Sequence, residues 1–559
     1  MYFKNSTTAA HLLAAVIMVA PATAYTNLNA NSSIGLYSPN ITQKTAQKTT
    51  VGSVWFSEFR TNRNTHALLN TIADAELHGL NPITYGSDSL EQELKTYVTN
   101  SEKLGSYTSE SNSDERKSLE SKLFSAFKQF AQDMGQGVLD AQATQRNLYR
   151  AAPTVDTDEL LARLNSGEAT VNELLTELTP SSPHYLKLVD HMHSLLEQRD
   201  AGKGRTTVSL GEGVILESEH PSVIDLRSRL METGDLDPAG SLTIYFGSDV
   251  EEALKAFQAR HGITATGELN EATVVALNKT IDNEIEEVAM NLERWRWMPR
   301  ELGDRHIMVN IPSYNLSMMN GDQQIVDMAV VVGSKKHQTP VFSKGAQFVE
   351  VAPTWTVPAS ITNNELLPIE RKRPGYLDSE RMDYFKWVEG RLVSVPRSQI
   401  TAADFEKRPF PYVLRQRAGA DNALGKIKIL MPNKYAIYMH DTQAKDLFAK
   451  TDRAYSHGCI RLSDPFRLGS LLLQLDGKSP TETDEILAKT KTTRVKLNEK
   501  TPTHISYFTA WVDEEGQLNQ RKDVYKHNKK LIAGLKANNT LLSTLKSRPV
   551  AVLAEQGEL

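Results

Sequence analysis

Cysteine is almost absent from this chain: Cys459 is the only one in 559 residues. An intrachain disulfide framework is thereby excluded, and a lone thiol serves either as a small buried hydrophobe or as a reactive group. A cationic excess is missing too. The formal charge of −5 at pH 7 and a pI near 6.3 leave no broad basic surface, which argues against nucleic acid as a partner. The chain also lacks a His-Glu-x-x-His helix and a phosphate-binding loop, so neither a zinc peptidase nor a nucleotide hydrolase is indicated. His191 and His193 lie two apart on a predicted helix, where two imidazoles do not turn to one ion, and read as a solvated face. Ser125-x-x-Lys128 and Ser543-x-x-Lys546 match a serine-nucleophile pattern, but its companion Lys-Thr-Gly is absent.

The N-terminus runs from Lys4 through an apolar stretch, Leu12 to Ala20, to Ala22-Thr23-Ala24. This is the order of a secretory signal peptide over 1–24, with Tyr25 the first mature residue. The apolar run, bounded by His11 and Pro21, is short of the roughly 20 residues that cross a bilayer, and nothing later resembles a span. The expectation is an exported protein with no transmembrane span in its mature form. Export sharpens the cysteine question, because an oxidising compartment leaves an unpaired thiol exposed to oxidation.

Periodicity divides the remainder. From 50 to 215 apolar residues recur at helical spacing, as in Leu68, Ile72 and Ala75, then Leu119, Leu123, Phe127, Phe130 and Met134, then Tyr185, Leu188, Leu195 and Leu196. These stripes predict an all-helical scaffold domain. A Gly-rich link precedes a compact helical segment over 219–280, with Val250, Leu254 and Phe257 on one face and Gly262 and Gly267 at a turn. The ordered string Phe257-Gln258-Ala259-Arg260-His261-Gly262, Gly267 and Ala276-Leu277-Asn278 resembles a small three-helix peptidoglycan-binding domain.

Over 303–530 the pattern turns to β, with β-branched runs at His306–Pro312, Ile325–Val332, Gln347–Val351, Ile427–Leu430 and Tyr435–His440. Residues 353–424, mixing Pro, Arg, aromatic and acidic side chains without a clear period, read as an inserted lid. The Lys-rich tail over 531–559 is polar and is read as either helical or irregular. The predicted fold class is multidomain α+β. Trp295, Trp297 and Trp387 read as core, whereas Trp355, at the root of the insert, is a candidate for substrate contact.

The chemistry gathers around Cys459. The string Ser456-His457-Gly458-Cys459-Ile460-Arg461 follows Tyr438-Met439-His440-Asp441, with fifteen residues between His440 and Ser456. A thiol attacks acyl carbon as thiolate, and a nearby imidazole both takes its proton and stabilises the anion. His440 ends a predicted strand on a separate element and is assigned as general base; His457, too near in sequence to face the thiol productively, is expected to hold the loop or the substrate. Gly458 permits a tight turn, so that the Gly458 and Cys459 amides, with the Tyr438 hydroxyl, form an expected oxyanion hole. Arg461 either holds a substrate carboxylate or braces the loop through a salt bridge. Ser456 and Asp441 complete the candidate set, the latter as a substrate-binding residue.

His440, Ser456, His457, Gly458, Cys459 and Arg461 together match the signature of the L,D-transpeptidases with a YkuD-type catalytic domain. The resemblance extends to the YcbB-like branch, through His78-Gly79-Leu80-Asn81-Pro82, Glu293-Arg294-Trp295-Arg296-Trp297, Asn422-Ala423-Leu424-Gly425 and Thr509-Ala510-Trp511-Val512-Asp513. Asp441 stands where many members of the wider family carry Gly. The resemblance implies attack by Cys459 on the diaminopimelate–D-alanine bond of a tetrapeptide stem, release of D-alanine, and transfer of the thioester-bound acyl group to an amine as a 3-3 cross-link. It further implies acylation by carbapenems, no cofactor or metal, peptidoglycan stems and glycan as partners along with other cell-wall synthases, and the periplasm of a Gram-negative bacterium. Two alternatives stand beside it: a carboxypeptidase or endopeptidase with water as acceptor, and a non-catalytic peptidoglycan-binding scaffold.

Overall fold

The computed structural model describes residues 53–538 apart from 58–59, 105–109, 210 and 212–213; the predicted signal peptide and the end of the tail lie outside the described residues. Helices dominate the first part: α1 (Arg63–Ala73), α2 (Ser87–Leu104), α3 (Glu110–Gln136), α4 (Thr157–Ser166), α5 (Val171–Leu178) and α6 (Pro183–Asp200). Local chemistry sets their ends. The Asn62 side chain accepts from Asn64 N and Thr65 N at the start of α1, and Thr170 with Glu173 forms a capping box on α5. Leu68, Ile72, Leu119, Leu123, Phe127 and Phe130 are buried in one core with Trp55, Leu174 and Leu175.

One helical stripe goes elsewhere. Tyr185, Leu188, Leu195 and Leu196 of α6 pack not into that core but against Ile281, Ile285, Val288 and Leu292, with Phe508 and Ala510 from the C-terminal region. Periodicity identifies a buried face but not its partner, and here the partner lies far along the chain.

A second helical unit holds α7 (Val223–Glu232), α8 (Ser248–Arg260) and α9 (Glu271–Leu277) around Leu226, Leu230, Phe246, Leu254, Phe257 and Leu277. Gln258, fully buried on α8, donates to the Glu268 carbonyl and Thr273 Oγ1 and accepts from Gly267 N, fixing the turn before α9. Helix α10 (Ile281–Arg296) follows. Its Glu293 and Arg296, wholly buried, pair at 3.0 Å, and Glu293 also accepts from Leu139 N while Arg296 donates to the His78 carbonyl. Such added bonds offset the loss of water around a buried pair.

The β region is built from β1 (Arg305–Asn310), β2 (Asn315–Asn320), β3 (Gln323–Gly333) and β4 (Ser343–Val351). The insert contributes β5 (Trp355–Thr356), β6 (Met382–Val388), β7 (Arg391–Val395) and β8 (Val413–Gln416). Thereafter come β9 (Ile427–Leu430), β10 (Met439–His440), β11 (Ala454–Ser456), β12 (Ile460–Leu462) and β13 (Thr493–Ser506). Strands pair in the order β11-β3-β12-β10-β9-β4-β13-β1-β2, and β2 pairs again with β3, closing the sheet on itself. Closure removes exposed edges and encloses a core of Ile307, Val330, Val349, Ile429, Met439 and Ile460. Helix α11 (Pro465–Leu475) adds Leu468, Leu472 and Leu473 to that core, and α12 (Asn528–Ala537) adds Leu531 and Leu535, so the start of the Lys-rich tail is an ordered amphipathic helix.

The insert is not irregular. Its four strands pair in the order β5-β8-β6-β7 over a core of its own, with Leu367, Leu377, Tyr384, Phe405, Phe410 and Leu414. Short elements and 3-10 turns hide this from any sequence period. Trp295 and Trp297 are buried, but Trp387, read as core, is 63% exposed on the β6–β7 hairpin.

Burial also sets an acid limit. His78, His261 and His440 are pushed down to about 3, and His504 and His527 to about 4, chiefly by removal from water. Each folded value lies below that of an unfolded imidazole, so the unfolded chain takes up the extra protons. Stability is therefore full above about pH 6.5 and is lost as pH falls toward 4, by at most about 1.4 kcal/mol per pH unit for each imidazole. Urea unfolding at pH 7 and pH 4.5 should show a clearly lower midpoint at the acid value.

Candidate active site

Alternation along four adjacent strands creates the site. Val349, Ile427, Ile429, Met439 and Ile460 point into the barrel, and the residues between them point to the opposite face. Register aligns these outward residues in one row, for Arg494 pairs with Glu350, Glu350 with Lys428, Lys428 with His440, and His440 with Arg461. Cys459 lies one residue before β12, alongside Tyr438, whose carbonyl accepts from Ile460 N at 3.1 Å. Tyr438, His440, Cys459 and Arg461 thus share one face.

The half-buried Cys459 thiol lies 3.7 Å from the Ala436 carbonyl, to which it donates. Burial pushes its pKa up, opposed by the polar groups of Tyr438 and by the positive charges of Lys428 and Arg461. Trp355, in the insert's first strand, bears on the Tyr438 hydroxyl. His440 Nδ1 donates to the Asp441 carbonyl at 2.5 Å. A carbonyl only accepts, so the proton resides on Nδ1 and Nε2 carries the free lone pair of a base. Burial and the neighbouring Arg461 keep that imidazole neutral. Among the described residues no hydrogen bond joins His440 to Cys459.

The loop before the cysteine is locked. Ser456 Oγ donates to the Cys459 carbonyl at 2.6 Å and accepts from Gly458 N at 3.1 Å. Gly458 has φ +111°, a conformation that favours glycine, and its carbonyl accepts from Thr339 Oγ1 at 2.8 Å. The Gly458 amide is therefore spent within the loop and is not an oxyanion donor as expected from sequence; the Cys459 amide and the Tyr438 hydroxyl remain. Asp441 also departs from its expected role. Its buried carboxylate accepts from Lys426 N, Thr442 N and Lys445 Nζ at 2.8, 2.7 and 2.6 Å, so it fastens the strand end.

His457 turns outward, to Glu365 of the insert at 2.7 Å, and stacks on His337 with centroids 4.4 Å apart. The Arg461 side chain makes no hydrogen bond or ion pair among the described residues, and its Nε is buried without a partner. The bracing salt bridge, one of its two expected roles, is absent among them. Ser125 and Lys128 are engaged with the Ser121 carbonyl and Asp158, and no group of three or more potential ligands that could hold a metal occurs among the described residues.

Sequence reasoning overlooked Lys428, Thr339, His337 and Glu365. Lys428 had a signal, since it interrupts Ile427 and Ile429 in a predicted strand and must face away from them. Glu365 and His337 had none, because each reaches the site through a contact between distant segments.

Residues 304–481, which carry this face and the insert, match the YkuD family, described as the L,D-transpeptidase catalytic domain. The chain carries an L,D-transpeptidase catalytic domain. Residues 47–192 match a family described as a scaffold domain, and 219–277 one described as "Putative peptidoglycan binding domain". A Haemophilus influenzae protein named "Putative L,D-transpeptidase" is 34% identical over 251 residues, 44% of this chain and 49% of that protein. The chain thus spans about half the length of that relative. A solved L,D-transpeptidase from Mycobacterium smegmatis is 12% identical, covering 36% of this chain and 58% of its own at a TM-score of 0.17. One from Stackebrandtia nassauensis is 11% identical, covering 54% and 96% at a TM-score of 0.20. The presence of the L,D-transpeptidase domain beside a peptidoglycan-binding domain points to the cell wall as the place of action, and no helix among the described residues is long and apolar enough to cross a membrane.

Proposed function

We propose that the chain is a periplasmic L,D-transpeptidase of a Gram-negative bacterium that forms 3-3 cross-links in peptidoglycan. The observation that carries this reading is the shared face of Tyr438, His440, Cys459 and Arg461, with the only thiol beside an imidazole whose Nε2 is free to accept. His440 Nε2 takes the thiol proton as the donor stem binds, a contact that tightens only in the substrate complex. The sulfur attacks the carbonyl of the third stem residue, and the oxyanion meets the Cys459 amide and the Tyr438 hydroxyl. Collapse breaks the amide bond, the proton on His440 passes to the departing D-alanine amine, and a thioester remains. The side-chain amine of a second stem attacks that carbonyl, gives its proton to His440 and expels the thiolate.

Arg461, with open donors at the face, is assigned to a carboxylate of the donor stem. The Glu365–His457 contact, which joins the insert to the loop carrying the thiol, supports a lid whose exclusion of water favours an amine as acceptor. Incubation with tetrapeptide muropeptides, followed by mass spectrometry, tests the reaction. Released D-alanine with a tetrapeptide–tripeptide dimer is expected. Tripeptide monomer alone would make the chain a carboxypeptidase, and unchanged substrate would leave it a binding scaffold.

A further inference from the structure

We propose that Lys428 is the positioning residue that lowers the pH at which the Cys459 thiol ionises, acting directly through space and through the Tyr438 ring that it covers. The proposal rests on Cys459 being the nucleophile assigned above and adds a group that stabilises the negative charge formed when His440 takes its proton.

The geometry begins in the strands. Lys428 is the cross-strand partner of His440 and projects on the same face as the thiol, between two residues buried in the barrel. Its Nζ lies 4.0 Å from the centroid of the Tyr438 ring, and Ile460 N, next to the thiol residue, bonds the Tyr438 carbonyl, so Tyr438 and Cys459 are neighbours on this face. A cation over a phenol ring withdraws electron density from it and makes its hydroxyl a stronger donor toward an anion. Lys428 therefore acts on the sulfur both through the ring it covers and by its own field.

The other charged groups on this face leave the ammonium uncompensated. Glu350, next in the row, is engaged by Arg494 at 2.5 Å, so its charge is already opposed. Lys428 itself forms no ion pair among the described residues, and burial pushes its pKa down, with Glu350 and the Cys459 thiolate acting the other way. Arg461 adds a second positive charge from the far side, beside His440. His440, flanked by Lys428 and Arg461, is disfavoured as an imidazolium in the resting protein, so the two side-chain cations bear on the sulfur before the base takes its proton. Asp441 is tied to Lys445 and does not neutralise the row. A face with two cations and a neutral base has a place for one anion at the sulfur.

The test is the pH dependence of Cys459 alkylation by iodoacetamide in the full chain, a reaction that needs no stem peptide. In Lys428→Met the thiol should titrate about one pH unit higher and alkylate about tenfold more slowly at pH 7, with the wild-type rate recovered at alkaline pH. Lys428→Arg should restore the wild-type profile. Lys428→Gln, which keeps a polar tip, serves as a second neutral variant and should match Lys428→Met. An unchanged profile in either folded neutral variant overturns the proposal, and so does failure of both to fold, which would make Lys428 a structural residue. A shifted profile in a protein that transfers no peptide would overturn the reaction assigned above and leave this inference standing.

Discussion

Cys459→Ala is expected to lower D-alanine release by more than about 1,000-fold, to background, because no other side chain at the face can form the acyl-enzyme. Intact-protein mass spectrometry after exposure to a carbapenem gives the same answer without substrate. The wild type should gain one drug mass and the variant none, while the variant still sediments with sacculi through its 219–277 domain. An adduct on the variant would transfer the nucleophile to another residue. The fold should be preserved, since a half-buried sulfur gives way to a smaller methyl at a strand start whose neighbours Met439 and Ile460 carry the packing.

His440→Ala should reduce kcat/KM by roughly 100- to 10,000-fold with little change in KM, the range expected when a positioned base is removed. The shape of the wild-type pH profile follows from the same residue. His440, pushed down to about 3, is already deprotonated throughout the neutral range, so the activity profile should show no imidazole limb near 6.5. His457→Ala should be far milder, since that ring bonds Glu365 and not the thiol. Collapse of activity in His457→Ala together with a near-normal His440→Ala would exchange the two roles.

Several features of this arrangement were legible before any coordinates. The spacing of His440, Ser456, His457, Gly458 and Cys459 identified the motif, and the period of Leu119, Leu123, Phe127 and Phe130 identified a buried helical face. Destinations were less legible. Tyr185 and Leu188 lie on a well-patterned helix, yet their partner is α10, more than 80 residues on. Gly458 and Asp441 show a further boundary, because residue type announces a donor or an acceptor but not whether a neighbour has already taken it. The insert was recognised by its lack of period, and its own core emerged only in three dimensions, from short segments such as Val413–Gln416 that no window resolves.

The chain leaves the barrel after Val351 and re-enters it at Ile427, and these two residues are direct cross-strand partners. The doorway through which the whole insertion passes is therefore no wider than the gap between neighbouring strands, about 4.8 Å. A graft at such a doorway leaves the pairing of its host unbroken, so the strands that bring His440 beside Cys459 close upon one another without it.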